Sequence, residues 1–453
     1  MLIEELPYYT DSSSYFEKIK HLEWPVFLDS CYQKDKPQSK YARFDIIAAN
    51  PFIKIRAKSG VTIVSDRQGH HQHKQPSLEV LSDLMDQYPK PSCSFPFVGG
   101  AIGYCSYELN LKTAKKNTIN TMMMGIYDWA VIVDHFEKKT YIVSMLLDSK
   151  TEPFIAKLVA IFNEDKDNLA QEFKIKTSVS DNLSFIDYKS KFDKVMKYIN
   201  AGDCYQINLS KKFEVDTEGD SWYLYKKFRD INKSPFMAYL LYDDFEILSG
   251  SPERFIKSQD GIVTTRPIKG TRVRGSNKEL DNKNANELLN SVKDQSENLM
   301  IVDLLRNDLS MNCEVGSINV DELFAIESYP NVHHLVSTIS GILKKESNNI
   351  KLFSDSFPGG SITGAPKIRA TEIIDELEEH SRDLYCGSVC YFSFHGSMDS
   401  NVAIRSMVHN NQKLYFYSGG GLTAGSNVDE EFQEIEDKVK NIKQAIKFFK
   451  EQR

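Results

Sequence analysis

Cysteine is scarce, seven in 453 residues, and the seven are odd in number and scattered (Cys31, Cys93, Cys105, Cys204, Cys313, Cys386, Cys390). That excludes a disulfide framework as the source of stability. CGSVC (386–390) has no second cysteine pair to complete a zinc site. Long apolar runs are missing as well. The most apolar stretch, MMMGIYDWAVIV (122–133), is broken by Asp128 and falls short of the roughly 20 residues that a membrane-spanning helix needs. Charge of neither sign dominates: a net −7 from interspersed acids and bases leaves no nucleic-acid footprint and no polybasic membrane patch. The opening MLIEELPYYTDSSSYF carries early acids and no apolar segment behind a basic cluster; it does not read as a secretory signal, and the expected location is cytoplasmic. The expected partner is a small molecule or another protein.

What is present is ordinary globular composition, 41% hydrophobic and 26% charged, over a length that suggests more than one lobe. Residues 1–150 read as a strand-rich lobe, with short apolar runs such as WPVFLDSCY and FDIIAANPFIKIRA punctuated by Gly, Pro and Asp. A connecting segment follows over 151–183, ending in the polar DNLAQEFKIKTSVSDN, and a second region runs from 184 to 453. It opens with Tyr188, Phe192, Val195, Met196 and Ile199 at helical spacing, stopped by Gly202. Strands are expected through CYQINLSKKFEV, SPERF and IVTTRPIKGT, then a long helix from about Asp281 to Leu309. After strands around Val332–Ile342 come the loop FPGGSITGAPK leading into a helix, two further strand runs, and a terminal helix from about Asp429 to Phe449. No regular βαβ period appears, so the pattern predicts α+β with large antiparallel sheets.

Several constellations could carry chemistry. Asp294 and Glu297 share a helix face, as do Glu431, Glu434 and Lys438; two such faces meeting would suit Mg2+, which takes one or two protein carboxylates and keeps waters. The apolar neighbours Leu299, Ile301 and Val302 suggest that the first of these helices is substantially buried. FPGGSITGAPK lacks both GxxxxGK[ST] and GxGxxG, so nucleotide binding is not expected. It and YSGGGLTAGS can still be either tight turns or backbone cradles for a carboxylate. Arg405, in the strand expected over NVAIRSM, either faces solvent or grips a carboxylate in bidentate fashion. His333 and His334 should face opposite ways on a strand. GHHQHK (69–74) reads as an incidental polar loop. Glu253 in SPERF could be a surface acid or a general acid, and Lys269 in RPIKGT lies a short strand and turn later. A lysine attacks only when neutral, which requires desolvation or nearby positive charge to lower a pKa near 10.4.

GDCYQINLS, LSGSPERF, RPIKGT, KDQSENLMIVDLLRND, VHHLVSTISG, FPGGSITGAPKIRA and YSGGG…EEFQEIEDKV, in this order, make the chain resemble the chorismate-utilising enzymes across most of its length. The resemblance implies that family's fold, large antiparallel sheets packed as a sandwich with helices outside. Gln206, where the water-adding members carry a lysine, resembles the ammonia-using branch. Lys269, where anthranilate synthases carry alanine, resembles the para-aminating members that lead to para-aminobenzoate and folate.

The roles implied are as follows. Glu297 and Glu434, backed by Asp294 and Glu431, hold Mg2+ against the ring carboxylate of chorismate, with Gly419, Gly420, Gly421 and Lys438 adding contacts. Arg405 and Tyr385 grip the enolpyruvyl carboxylate, and Thr271 fixes the ring. Lys269 attacks C2, Glu253 protonates the departing C4 hydroxyl, and His334 helps there. No cysteine stands in a GxCxG context, so ammonia would come from a separate glutamine amidotransferase subunit. FLDS and SPFMAYL resemble segments lining a tryptophan site, which places Ser30, Pro235 and Phe236 in such a pocket. The readings left open beside this one are an anthranilate or isochorismate/salicylate synthase, and a catalytically silent tryptophan-sensing subunit. The silent subunit would be expected to have lost the metal acids, whereas Glu297 and Glu434 are present.

Overall fold

A computed structural model describes residues 1–34, 41–111, 115–164, 172–329 and 332–451. Among these, two antiparallel sheets of 13 and 12 strands carry the architecture. Each sheet draws on both ends of the chain. In the first, Val26–Asp29 pairs with Phe236–Leu241, which continues through Phe245–Ser251 and Ser406–Asn410 to Lys413–Leu422 and Gln206–Gly219. In the second, Gly100–Cys105 pairs with Ser388–Ser393. The boundaries expected at 150 and 183 therefore do not divide the sheets.

Strand alternation explains the layering. In the first sheet Val26, Ile46, Ile132 and Ile247 point into the core shared with the second sheet. Their neighbours Phe27, Ile47, Val131, Val133 and Leu248 point the other way, where helices Ser13–Ile19, Phe185–Ala201, Ser221–Asn232 and Lys440–Lys450 cover them. Successive side chains of a strand face opposite sides, so sequences that are apolar at every position, such as AVIV (130–133), belong to a sheet buried on both faces. MMMGIYDWAVIV forms two buried strands, one in each sheet: Met122–Tyr127 in the second and Trp129–Asp134 in the first. Among the described residues no helix is long and apolar enough to cross a membrane, and all seven cysteines are free thiols.

The expected elements appear, with corrections. GHHQHK, expected as a polar loop, is largely the strand Gly69–His73, paired with Val61–Asp66. The helix predicted over 281–309 is two, Lys278–Leu289 and Val292–Ser310, because Ser291 caps the second by accepting from the Asp294 amide. Along it Ile301 and Val302 are buried but Leu299 is 47% exposed, so this helix is half-buried and not enclosed. The terminal helix also breaks, at Val439 (φ −98°, ψ 5°), giving Val428–Lys438 and Lys440–Lys450. Of the polar connecting segment, residues 167–171 lie outside the described residues. The rest forms the short strands Phe173–Ile175 and Ser180–Asp181 on the edge of Gln206–Gly219. The helix after FPGGSITGAPK begins at Lys367, with Pro366 as its N-cap.

Candidate active site

The lysine of RPIKGT sits on an irregular strand. Ile268–Val273 pairs with Val332–Ile342, Lys269 opposite Leu335 and Thr271 opposite His334, so Gly270 is an extra residue bulged from the ladder. A bulge re-aims side chains, and only glycine suits this one. Gly270 has φ +75°, and a Cβ there would lie 2.8 Å from the Asp294 carboxyl carbon. Lys269 Nζ is thereby turned toward the Gly-rich loop, where it donates to the Ser361 carbonyl at 3.1 Å. Ser361 Oγ in turn donates to Glu253 Oε1 at 3.3 Å. One loop residue thus touches both the expected nucleophile and the expected acid; the motif containing Ser361 was visible in the sequence, but nothing singled the residue out.

Electrostatics sharpen this pair. Burial lowers the Lys269 pKa below the ordinary lysine range, although Glu253 and Glu297 pull the other way. Burial raises the Glu253 pKa, although Lys269 opposes it. In both residues desolvation outweighs mutual attraction, so the pair leans toward neutral amine and protonated acid. Glu253 lies between strands, just before Arg254–Gln259, not within one, and is 6% exposed.

His334 is buried at 3% exposure and its Nδ1 lies 2.9 Å from Thr271 Oγ1. Burial, Arg405 and His333 hold its pKa down at about 3, leaving a neutral imidazole. His333 faces away, toward Asp281 and Ser328. Arg405 is not in a strand, as the NVAIRSM pattern predicted. It lies between Met398–Asn401 and Ser406–Asn410 in left-handed backbone, φ +50°. Burial lowers its pKa against the pull of Glu253, and among the described residues its guanidinium makes no hydrogen bond or ion pair. A desolvated cation with that much donor capacity unused is suited to a carboxylate ligand.

The opposite wall is Gln206–Gly219 paired with Lys413–Leu422, which sets Asn208 against Gly421 and Ser210 against Gly419. The glycines leave room for neighbouring side chains. A Cβ on Gly419 would lie 2.9 Å from the Tyr385 hydroxyl, on Gly420 2.8 Å from Glu431 Oε2, and on Gly421 2.8 Å from Gln206 Nε2. Gln206 is 1% exposed, and its Nε2 has no hydrogen-bond partner among the described residues. Tyr385 stacks on Tyr417. Lys438 Nζ donates to the Gly419 carbonyl at 2.9 Å and pairs with Glu434 at 2.7 Å.

The four expected metal acids do not form a ready-made cage: among the described residues no three His, Cys, Asp or Glu side chains converge tightly enough to hold an ion. The reason is that three have protein partners. Asp294 pairs with Arg272 at 3.1 Å, Glu434 with Lys438, and Glu431 accepts from Ser426 Oγ at 2.7 Å. Glu297 has none among the described residues, and its pKa is raised by burial and by the negative charge of Asp294 and Glu434. Glu431 is raised too, by burial and by Glu434. Burial and the neighbouring Glu434 raise both Glu297 and Glu431, while Lys438 helps hold Glu434 itself down; a carboxylate with no partner among the described residues, beside further acids, fits a divalent ion that needs only one or two protein oxygens. Lys293, absent from the sequence reading, adds positive charge near Glu297, Glu431 and Glu434.

A separate cavity of about 560 Å³ is lined by Asp29, Ser30, Phe44, Phe95, Pro235, Phe236, Lys257 and Tyr391 among others, and by none of the residues just described. Ser30, Pro235 and Phe236 come together because Val26–Asp29 pairs with Phe236–Leu241.

A buried lysine whose pKa is lowered, a buried glutamate whose pKa is raised and a guanidinium with no partner among the described residues, all around one Gly-rich loop, suit chemistry on a small organic acid. The model of the chorismate binding enzyme family matches residues 29–444, and the chain belongs to that family. It is 38% identical over 448 residues to aminodeoxychorismate synthase component 1 of Salmonella typhimurium, covering 96% of each chain. Its identity to the Escherichia coli protein of the same name is 39% over 438 residues, 94% of each. Anthranilate synthase component 1 of Acetivibrio thermocellus is 32% identical, over 90% of this chain and 87% of that one. Among solved structures, anthranilate synthase component I from Streptococcus pneumoniae superposes with a TM-score of 0.81 at 27% identity, over 91% of this chain and 95% of that one.

Proposed function

We propose that this enzyme converts chorismate and ammonia to 4-amino-4-deoxychorismate through a covalent Lys269 intermediate. The observation that carries the reading is the Lys269–Ser361–Glu253 chain, in which burial favours the neutral amine and the protonated acid. Arg405 takes the enolpyruvyl carboxylate, with Tyr385 beside the glycine strand. The ring carboxylate rests toward Gly419–Gly421 and Lys438, and Thr271 and neutral His334 flank the C4 hydroxyl. Lys269 Nζ forms a bond to C2 as the allylic C4–O bond breaks, and the Glu253 proton leaves with the hydroxyl as water. Ammonia then bonds to C4 while the C2–N bond breaks, Lys269 departs as the amine, and the surplus ammonium proton returns to the Glu253 carboxylate. Two displacements with the double bond shifted each time give net retention, and the lysine on C2 keeps ammonia from the ortho position. Splitting the substitution in two is the gain of nucleophilic catalysis.

Glu297 and Glu434 would hold Mg2+, with Asp294 and Glu431 behind them; when bound, the ion supplies positive charge against the ring carboxylate. Buried Gln206 carries no charge and cannot act as the base that a water-adding enzyme requires, which supports ammonia as the nucleophile. With no GxCxG cysteine in the chain, ammonia is supplied by a glutamine amidotransferase subunit. The separate cavity is read as a tryptophan site. Lys257, whose ammonium makes no ion pair among the described residues, is available there for a carboxylate, and Phe44, Phe95, Phe236 and Tyr391 for the indole.

Product analysis with chorismate and ammonium salts tests the reaction directly. Aminodeoxychorismate as the dominant product is expected, and anthranilate or isochorismate in its place would refute it.

A further inference from the structure

Two sets of residues must be held in register for this reaction, the Lys269–Glu253 side with its Ser361 loop and the Gln206–glycine side. A short backbone ladder joins them, Gln206 opposite Ala365 and Ile207 opposite Gly364, with the Asn208 amide donating to the Thr363 carbonyl at 2.8 Å. One buried ion pair adds side-chain contacts to both. Arg382 is 1% exposed and Glu378 2%, and they meet through two hydrogen bonds, Nε to Oε2 at 2.9 Å and Nη2 to Oε1 at 2.8 Å. Arg382 Nη1 donates to the Ile362 carbonyl at 3.1 Å, one residue beyond Ser361. Its Nη2 donates to the Asn208 carbonyl at 2.8 Å, two residues beyond Gln206. Glu378 Oε1 accepts from the Ser210 amide at 2.8 Å, where the strand faces Gly419. The guanidinium also lies 4.7 Å and 5.6 Å from the ring centres of Tyr107 and Tyr385.

We propose that Arg382, clamped by Glu378, is a positioning residue that registers the loop carrying Ser361 against the strand carrying Gln206. The geometry requires arginine: a planar fork reaches two carbonyls and a carboxylate at once, whereas a lysine ammonium is a single point. Misplacement of reacting groups by about 1 Å can cost around 100-fold in rate, so the effect belongs in turnover more than in binding.

The inference rests on the proposed site but not on the product formed, so the test follows chorismate consumption with ammonium salts and identifies the product separately. Arg382→Lys retains the charge pair and loses the fork. The expected result is a kcat, per folded molecule by circular dichroism and active-site-independent titration, lowered about 30- to 100-fold with KM for chorismate within about 3-fold. Full-rate kcat per folded molecule, with only the thermal midpoint lowered, would overturn it. Should Arg382→Lys fail to fold, Glu378→Gln, which still accepts from Ser210 and Arg382, reads the same register. A kcat lowered about 10-fold at nearly constant KM supports the inference, and an unchanged kcat overturns it. If wild type proves to make anthranilate, the proposed reaction fails while these ratios still decide the role of Arg382.

Discussion

At the scale of single residues the account turns on a contest between two effects. Attraction between Lys269 and Glu253 favours the charged forms and burial favours the neutral ones; burial wins in each. The competent state has Lys269 neutral and Glu253 protonated. Activity should therefore trace a bell in pH, with one limb owed to each group, because the neutral amine and the protonated acid must be present together. His334, held at about 3, adds no limb near neutrality. Glu253→Gln is expected to lower kcat by about 10²–10⁴-fold and to remove the limb owed to the acid. A pH–rate profile for that variant with both limbs intact would contradict the assignment. The sequence made Lys269, Glu253 and Gln206 conspicuous because their motifs are rigid and ordered. It could not show that Ser361 joins the first two, since a serine hydroxyl and a backbone carbonyl gain that role only when a distant loop folds over them.

At the scale of elements, the site depends on departures from regularity. Lys269 is aimed by a bulge, Arg405 stands in left-handed backbone between strands, and the paired helices break at Ser291 and Val439. Periodicity reads regular segments well, so Phe185–Ala201 with its Gly202 stop and Val332–Ile342 were legible. A bulge or a break is invisible to it: the strand expected through Arg405 and the single long helices were wrong for that reason. Gly270→Ala tests the bulge. A Cβ at φ +75° and 2.8 Å from the Asp294 carboxyl carbon should destabilise by about 1–3 kcal/mol and lower kcat by turning Lys269. Urea unfolding and steady-state kinetics measure both, and wild-type values in each would show that the bulge does not set the lysine.

At the scale of the whole molecule, α+β architecture with antiparallel sheets was readable from hairpin-like spacing and the lack of a βαβ period. The interleaving was not, because which strands pair across hundreds of residues leaves no local trace. It has a consequence for the lobes suggested by composition. A chain cut after residue 183 would leave both sheets without neighbours, exposing ladder edges and the apolar faces of Phe236–Leu241 and Ser388–Ser393. Residues 184–453 expressed alone should lack a cooperative unfolding transition, and co-expression with 1–183 should restore one; cooperative folding of the fragment alone would contradict this reading of the sheets.

The central claim is that Lys269 bonds to the substrate. Intact-mass spectrometry after incubation with chorismate in the absence of ammonia tests it most directly. The account predicts a mass gain equal to chorismate less one water, mapped by proteolysis to the peptide carrying Lys269, lost on adding ammonium and absent in Lys269→Ala. An unmodified chain that still turns over when ammonia is supplied, or Lys269→Ala forming aminodeoxychorismate at the wild-type rate, would contradict it.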